Sequence, residues 1–570
     1  MTDASGEGGV DHRRKRTVAS PTSDAESFPE MPRAIERWRN LIGSERVITD
    51  SERLQSHGQN AIGSVNRASV LLRPPNAQKI PDLVRIAERF RTPLFPISTG
   101  RNWGYGASSP AIDGAVVLDL SELQSIEFVD RELGVVDLEP GVTQGMLHQF
   151  LCSQGSEWLT PVHGGGPDCS ILGNALERGY GLTPTTDHFE ALTSLQAVLA
   201  DGTLYRSAFQ VMGAPLIGAC HRWGVGPYAE GLFSQGNLGI VTSATFALRR
   251  RAEHTEAFFL RIRNEAEFGE LVDSLRGILN GLPGIITGVN LMNDRRMLSM
   301  SRPYPRDQVA EGEIISDKLC RSMAKEAGIS QWTAAGVIHC PRSMRRVIRQ
   351  HLRQSLPASI GRPIHFNRRR HGVARKALRW TPIPATGITR QLDSIDALLD
   401  LADGIPRRVA LALAYWLRGQ RVDTEAELNP ARDGCGLIWY SPLVPMKRDI
   451  ATRFVTMARH VCTAHGIEPL ITLTSLSPRL FDSTVPILFR PEQPGASDRA
   501  HACYEALTAG GREMGCLPYR LNNQSAAAVL ADADPGHFDI INRLSRHFDP
   551  HQLISPERYH PLSIDGGQTR

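Results

Sequence analysis

The sequence has no run of about 18 apolar residues, the length that a membrane-spanning helix requires, so we expect no membrane association. The first 29 residues lack the apolar core of a secretory signal, and we predict a disordered leader over residues 1–29. Nine cysteines, an odd number with no CxxC pair, argue against a disulfide framework and against a zinc site. These absences favour a cytoplasmic protein with reduced thiols and no bound metal.

Charge of either sign is in little excess, because 64 lysines and arginines are opposed by 60 aspartates and glutamates. One stretch departs from this balance: residues 342–379 contain twelve Arg or Lys and no Asp or Glu. The stretch either docks an acidic electron-acceptor or carrier protein, or forms a solvated face that acidic residues elsewhere balance. No stacking aromatics are interleaved with the charge, so we expect no nucleic-acid partner. Within the stretch we predict a helix with Arg345, Arg346, Arg349 and Arg353 on one side and Val347, Ile348 and Leu352 facing inward.

Hydrophobic periodicity divides the chain into segments with different patterns of predicted helices and strands. With 570 residues and 41% hydrophobic content, the chain is long enough for two domains. Residues 30–250 alternate helical patterns, short strands and glycine turns, whereas residues 251–498 contain longer amphipathic helices separated by strands. These patterns predict an α+β protein, with helices over residues 80–90, 268–279 and 450–462 and strands over residues 115–120, 134–138 and 436–440.

Residues 96–106, Pro-Ile-Ser-Thr-Gly-Arg-Asn-Trp-Gly-Tyr-Gly, combine backbone donors, a cation and an aromatic ring in one short turn. Gly100 and Gly104 permit positive φ angles, so that successive N–H groups can point at a diphosphate while Arg101 adds positive charge. The pattern is typical of an anion-binding loop, with a glycine-rich surface turn as the alternative.

Three further stretches follow in order along the chain and contain four motifs. Glu-Pro-Gly-Val-Thr occupies residues 139–143, Ser-Ile-Leu-Gly-Asn and Thr-Thr-Asp-His lie within residues 170–188, and Gly-Asn-Leu-Gly-Ile-Val lies within residues 226–242. Together with residues 96–106, these motifs resemble the FAD-binding domain of the vanillyl-alcohol oxidase and p-cresol methylhydroxylase family of flavoproteins. The resemblance is dense in the first 250 residues and the last 70, and thin between them.

The resemblance implies a two-domain flavoprotein that forms a homodimer or a larger assembly. Residues 30–250 would form the FAD-binding domain, residues 251–498 a cap with an antiparallel sheet backed by helices, and residues 499–570 a segment that returns to the FAD domain. By the same resemblance, the residues expected to hold FAD are Pro96, Ile97, Ser98, Thr99, Gly100, Arg101, Asn102, Gly104, Tyr105, Ser170, Gly173, Asn174, Gly181, Thr183, Asp187, His188, Gly239, Ile240, Val241 and Arg520.

A phenolic substrate is implied by three further matches to the family. A para-substituted phenol that ionises can lose a benzylic hydride to flavin N5 and become a neutral quinone methide. Because a phenol has a pKa of about 10, donors and a cation must stabilise the phenolate at neutral pH. Two tyrosines and an arginine do so in the family, and they match Tyr105, Tyr519 and Arg520 here. Tyr105 packing only as part of the flavin domain is the alternative.

Two positions depart from the family pattern. Leu437 occupies the position at which many members link FAD to a histidine, so we expect non-covalent FAD unless Cys435, Tyr440 or a histidine elsewhere reaches the ring. The acidic residue that members place near N5 matches Asp168 only if the following turn is about three residues shorter. We take Asp168 as a candidate base, with His163 as its rival for proton transfer.

We therefore predict an FAD-dependent oxidoreductase that oxidises a para-substituted phenol through a quinone methide. The electron acceptor is either dioxygen or a carrier such as a cytochrome. The alternatives are an oxidoreductase of another alcohol, amine, sugar lactone or secondary metabolite, and a flavin-binding protein without turnover.

Overall fold

A computed structural model describes residues 28–64, 66–181, 185–262, 264–379, 386–531 and 533–559. Almost all of the predicted leader and the predicted cofactor residue Thr183 therefore lie outside the described residues.

A small mixed sheet begins the fold and ends in the loop that the sequence singles out. Its strands are β1 (Val47–Ile48), β2 (Val70–Leu72), β3 (Leu94–Ile97) and β4 (Val116–Asp119), in the order β1-β2-β4-β3, with β2, β3 and β4 parallel. The accompanying helices are α1 (Met31–Ile42), α2 (Ser51–His57) and α3 (Ile80–Phe90). The periodicity that predicts α3 is confirmed, because its apolar side chains are buried against the sheet. The loop of residues 96–106 begins where β3 ends.

An antiparallel five-stranded sheet follows, with the order β5-β6-β10-β8-β9. The strands of this part are β5 (Ile126–Asp130), β6 (Val135–Leu138), β7 (Trp158–Leu159), β8 (Leu192–Val198), β9 (Leu204–Arg206), β10 (Ile240–Ala247) and β11 (Arg249–Arg250), of which β7 and β11 form a separate pair. Its helices are α4 (Gln144–Ser153), α5 (Ile171–Leu176), α6 (Ala208–Val211) and α7 (Pro215–Cys220). Thr143 and Ser170 cap α4 and α5 by accepting hydrogen bonds from Met146 N and Gly173 N.

A larger antiparallel sheet forms the cap, in the order β15-β12-β14-β13-β18-β19-β16 with β17 beside β19. Its strands are β12 (His254–Ile262), β13 (Ile286–Asn293), β14 (Trp332–Cys340), β15 (Ile364–Phe366), β16 (Gly436–Tyr440), β17 (Leu443–Pro445), β18 (Thr472–Ser477) and β19 (Leu480–Phe489). The helices of the second half are α8 (Phe268–Gly281), α9 (Asp294–Ser301), α10 (Asp317–Ala327), α11 (Arg345–Gln354), α12 (Arg368–Arg379), α13 (Thr386–Ala402), α14 (Arg448–Ala464), α15 (Ala496–Glu513), α16 (Ala526–Leu530) and α17 (Pro535–Phe548).

The cap sheet has one apolar and one polar face because side chains alternate along its strands. In β19, Phe481 and Val485 enter a core with residues of α8, α14 and α15, whereas Asp482 and Thr484 face the other way, into a cavity. Phe454 of α14 is fully buried in this core, and burial of such a side chain contributes roughly 1.5–3 kcal/mol to stability. The predicted α+β fold, with an antiparallel cap sheet backed by helices, is confirmed.

The predicted domain limits remain predictions, and the limit between residues 498 and 499 falls inside α15. Residues of α15 such as Cys503 and Leu507 pack in the cap core, beside the sheet.

Three arginines of the basic stretch form ion pairs with acidic residues. Arg349 forms an ion pair with the buried Glu256, Arg368 with Asp400 and Asp403, and Arg375 with Asp393. In α11, Ile348 and Leu352 are buried as predicted, but Val347 is 66% exposed, so the prediction that it faces inward is wrong. Its position three residues after Met344 places it on the solvent side of the helix, away from the Ile348–Leu352 stripe.

The nine cysteines are all free thiols. Within the described ranges, no helix has the length and apolar character needed to cross a membrane.

Candidate active site

A cavity of about 940 Å³ lies between the loop after β3, the loop around α5 and the polar face of the cap sheet. Pockets for small molecules and cofactors usually measure about 300–1,000 Å³, so this one is large. Its wall includes predicted residues from both halves of the chain: Pro96, Ile97, Ser98, Thr99, Gly100, Arg101, Asn102, Tyr105, Ser170, Gly173, Asn174, Gly181, Gly239, Ile240, Val241, Tyr519 and Arg520.

The loop after β3 packs so closely that its glycines leave no room for a side chain, which exposes the backbone to the cavity. Gly100 has a φ of +64°, and a Cβ at this position would collide with the side chain of Ser108. A Cβ on Gly173 would lie 2.8 Å from Ser98 Oγ. The Arg101 guanidinium donates to Glu427 of the cap at 3.1 Å, so part of its charge is compensated. Close backbone approach beside a cation fits an FAD diphosphate at this place.

Other predicted cofactor residues lie behind the residues that line the cavity. Gly104 accepts a hydrogen bond from Trp439 N at 3.2 Å through its backbone oxygen. His188 is buried, and its Nδ1 accepts from Asn174 Nδ2 at 2.8 Å. Burial lowers the pKa of His188 to about 4, so the ring is neutral and holds the Asn174 amide in place. Asp187 accepts from Glu190 N at 3.0 Å and thereby shapes the turn.

Tyr105, Tyr519 and Arg520 meet on one part of the cavity wall. Tyr105 Oη lies 2.8 Å from Ser441 Oγ, and the Arg520 guanidinium carbon lies 4.4 Å from the Tyr105 ring centroid. Tyr519 N donates to Ser441 O at 3.3 Å, and the Tyr519 ring packs edge-on against Tyr180 with centroids 5.3 Å apart. The structure therefore brings Tyr105 together with Tyr519 and Arg520, which lie more than 400 positions later in the sequence.

Arg520 is oriented by two partners that the sequence does not reveal. Its Nη2 donates to Asn102 Oδ1 at 2.6 Å, and its Nε lies 3.5 Å from Glu177. Glu177 also pairs with Arg558 and accepts from Tyr559 Oη at 3.0 Å. Burial would raise the pKa of Glu177, but Arg558 and Arg520 outweigh it and hold the pKa below its usual range. Two guanidiniums thus share one carboxylate, which leaves positive charge at the wall.

Asp482 is a cavity residue that no motif in the sequence indicates. It lies on the polar face of β19, is 9% exposed, and its Oδ1 has no hydrogen-bond partner among the described residues. Burial raises its pKa to about 7, although Arg520 acts in the opposite direction. Its signal in the sequence is a single acid in an alternating strand pattern, Phe481-Asp482-Ser483-Thr484-Val485, which cannot by itself be told from a solvent-facing position.

Asp168 and His163, the two predicted candidates for proton transfer, have different environments. Asp168 accepts hydrogen bonds from Arg408 Nε at 3.1 Å and from Arg408 Nη2 at 2.9 and 3.1 Å, and it is not on the cavity wall. His163 lines the cavity, and burial lowers its pKa to about 3, with His188 and Arg520 adding to the effect. His163 is therefore neutral at physiological pH, and Asp168 ties the chain to the segment that precedes a 3-10 helix over Val409–Arg418.

The residues considered for a covalent flavin link are placed unequally. Leu437 lines the cavity, whereas Tyr440 points into the cap core and donates to Leu507 O at 2.8 Å. Cys435 is buried beside Leu437 and Leu488, away from the cavity wall.

Comparison with known proteins agrees with this architecture. Residues 68–208 match the FAD binding domain family. The chain is 31% identical over 535 residues to 1'-carboxy-chondrochloren decarboxylase of Chondromyces crocatus, covering 93% of this chain and 97% of that protein. It is 23% identical over 534 residues to the 4-cresol dehydrogenase [hydroxylating] flavoprotein subunit of Pseudomonas putida, covering 93% and 95%.

Solved structures show the same fold. The structure of p-cresol methylhydroxylase with substrate bound superposes with a TM-score of 0.83 at 22% identity, over 95% of this chain and 98% of that one. The isoeugenol complex of 4-ethylphenol oxidase from Gulosibacter chungangensis superposes with a TM-score of 0.82 at 22% identity, over 94% and 98%. This chain therefore binds FAD and belongs to the p-cresol methylhydroxylase-like family of FAD-dependent oxidoreductases.

Proposed function

We propose that this enzyme oxidises a para-substituted phenol bound as its phenolate. The observation that carries the proposal is the convergence of Tyr105, Tyr519 and Arg520 on one cavity wall, with Ser441 hydrogen-bonded to Tyr105. Burial raises the pKa of Tyr105 to about 12 and that of Tyr519 well above its usual value, so both hydroxyls stay protonated and can donate. An arginine adds a charge that does not titrate in the physiological range.

The electrostatic balance at this wall favours an anion. Arg520 and Arg558 carry two positive charges, and Glu177 compensates only one of them. A bound phenolate oxygen neutralises the other. Placing preorganised donors and a cation around an oxyanion in a site with little water is worth far more than the same groups in water. In this account, Arg520 and the two tyrosines lower the pKa of the bound phenol.

The rest of the reaction follows from the phenolate. When bound, FAD supplies an acceptor for the hydride that leaves the benzylic carbon. The substrate is then a quinone methide, whose benzylic carbon is electrophilic. Asp482, whose pKa is about 7, faces the same cavity and is our candidate to take a proton from the phenol or from an attacking water. We assign Asp168 a structural role instead of that of a base. Its ion pair with Arg408 holds the cap segment against the flavin domain.

A second outcome for the quinone methide is decarboxylation, which the similarity to a decarboxylase over nearly its whole length favours. If the substrate carries a carboxylate on the carbon next to the benzylic one, the C–COO⁻ bond can break. Its electron pair becomes a C=C bond, the ring returns to a phenolate, and CO₂ leaves. Phenolate stabilisation is common to both outcomes, so Tyr105, Tyr519 and Arg520 keep their roles.

The cofactor is proposed to be held non-covalently, in a reducing compartment such as the cytoplasm. Leu437 provides no nucleophile at the predicted linking position, and the nine free thiols support a reducing environment. The rate at which air reoxidises the reduced enzyme distinguishes dioxygen from a carrier protein as electron acceptor.

Anaerobic mixing with matched ligands tests the proposal. We expect 4-ethylphenol to bleach the flavin absorbance and 4-ethylanisole, its non-ionisable methyl ether, to leave it oxidised. Arg520→Ala and Tyr519→Phe should slow bleaching by about 10²–10³-fold and about tenfold, respectively, because each removes stabilisation of the oxyanion. Equal bleaching by both ligands would contradict phenolate formation, and spectral perturbation without bleaching by any phenol would indicate binding alone.

A further inference from the structure

Two adjacent arginines in α9 have opposite environments. Arg295 is paired with Glu468 at 2.7 Å and with Asp317 at 2.8 Å. Arg296 has no carboxylate partner among the described residues, and its only side-chain hydrogen bond there goes from Nη1 to Ser299 Oγ at 3.1 Å. A guanidinium has five N–H donors, and most of those of Arg296 have no partner in the described part of the chain. Arg296 is partly buried, and burial lowers its pKa to about 10.

Arg296 faces the catalytic cavity from the cap side, together with other cations. Arg261, Arg302 and Arg421 also line the cavity, and none of them forms an ion pair within the part of the chain that the structure describes. Two acidic residues of the cap also line the cavity and have other partners: Asp393 is paired with Arg375, and Asp482 interacts electrostatically with Arg520. The cap side of the cavity therefore carries unbalanced positive charge, in addition to the cluster around Arg520.

The register of the cap sheet gives the separation between the phenol site and the end of β13, from which the chain continues into the helix that carries Arg296. Ser441 follows Tyr440, which pairs with Val485; in the next two strands Thr484 pairs with Thr472, and Thr472 with Met292. Three strand spacings thus separate Ser441 from Met292, or about 14 Å at about 4.8 Å each. Arg296 lies four residues beyond Met292, in the helix that begins after β13.

We propose that Arg296 binds a carboxylate carried on the para side chain of the phenolic substrate, at the end of the cavity away from the phenolate. This inference rests on the proposed phenol oxidation and specifies its substrate class as a phenol with an anionic tail. A carboxylate fits the fork of the guanidinium with two parallel hydrogen bonds. A partly buried arginine at the wall of the substrate cavity, with no carboxylate partner among the described residues, is otherwise a net cost to the fold.

Binding of matched acids and amides tests the carboxylate site separately from turnover. We would measure Kd by calorimetry for 3-(4-hydroxyphenyl)propionic and 5-(4-hydroxyphenyl)pentanoic acids and their carboxamides. The variants are Arg296→Met, Arg296→Lys and, as a control, Arg453→Met, which removes an exposed arginine from α14 on the other side of the cap sheet. For the better acid we expect at least about tenfold tighter binding than for its amide in the wild type and in Arg453→Met.

The expected pattern is loss of this preference in Arg296→Met and partial retention in Arg296→Lys. Equal binding of acid and amide by the wild type would overturn the inference, and so would loss of FAD from Arg296→Met, because Arg296 would then serve the cofactor. If Arg296→Met does not fold, Arg296→Lys decides, since a compact ammonium should weaken the preference but not abolish it. Acid preference without flavin bleaching would leave the carboxylate site standing and refute phenol oxidation. Flavin bleaching without preference for the acid would support phenol oxidation and refute the carboxylate site.

Discussion

Asp482 makes the most specific prediction at the scale of single residues. If its carboxylate is the base, kcat/KM should rise as the pH passes through about 7, and Asp482→Asn should lower kcat/KM and remove that inflection. An unfolded aspartate titrates near about 3.9, so the folded wild type binds an extra proton between that pH and about 7. Wild-type stability should therefore fall relative to Asp482→Asn as the pH rises through this window. Thermal unfolding of both proteins from pH 4 to 8 measures this difference in stability.

The result against this role would be an unchanged inflection near pH 7 in Asp482→Asn, which would assign the titration to another group. His163 is a poor substitute because its pKa is lowered to about 3.

The sequence allows the prediction of some site residues and not of others, for a physical reason. Tyr105, Tyr519 and Arg520 lie in motifs that can be matched locally. Asp482 and Arg296 acquire their character only from burial and from missing partners, which depend on strand register and on contacts between distant segments. Glu177 lies between two of the family motifs, within residues 170–188, yet its pairing with Arg520 across more than 300 residues is not visible in the sequence.

At the scale of elements, the loop after β3 predicts a difference between two glycines with similar φ. Gly100 (φ +64°) is crowded by Ser108 in this loop, whereas Gly155 (φ +58°) has no atom within 4 Å of a Cβ. Alanine at either position should cost roughly 1 kcal/mol through backbone strain. Only Gly100→Ala should lower the FAD content, measured as the absorbance ratio at 450 and 280 nm, the two wavelengths at which flavin and protein absorb. Equal FAD loss in both variants would indicate a general folding defect.

The positions of two side chains in strand β16 lead us to expect that acid releases the flavin from the protein. Leu437 lies on the cavity wall and Tyr440 is turned into the core, so acid precipitation should leave the yellow flavin in the supernatant. A yellow pellet would mean a covalent bond, with His163, the histidine on the described part of the cavity wall, as the first residue to test by mutation.

Element types were predictable where local periodicity is strong, as for α3, α8, α14 and β16. The polar face of the cap sheet was not, because it depends on how β13, β18 and β19 pair across nearly 200 residues. The inward orientation predicted for Val347 fails because helical periodicity alone does not state which side of a helix meets the sheet.

At the scale of the whole molecule, the Asp168–Arg408 ion pair joins the flavin half to the cap. Both side chains are partly exposed, so we expect only about 0.2–1 kcal/mol of stability from the pair. Asp168→Asn and Arg408→Gln should nevertheless open the cap segment and speed reaction of the reduced flavin with air. A double-mutant cycle on this rate should show coupling, and strict additivity would mean that the pair does not close the cavity.

The ionisation state of a bound phenol tests the central claim most directly. The probe is 4-fluorophenol, which has no benzylic hydrogen and whose ¹⁹F chemical shift reports loss of the hydroxyl proton. A phenol with a pKa of about 10 is neutral in water at pH 7, so a phenolate shift in the complex would come from the protein. We predict the phenolate shift with the wild type and the neutral shift with Arg520→Ala. A neutral phenol bound to the wild type at pH 7 would contradict the account.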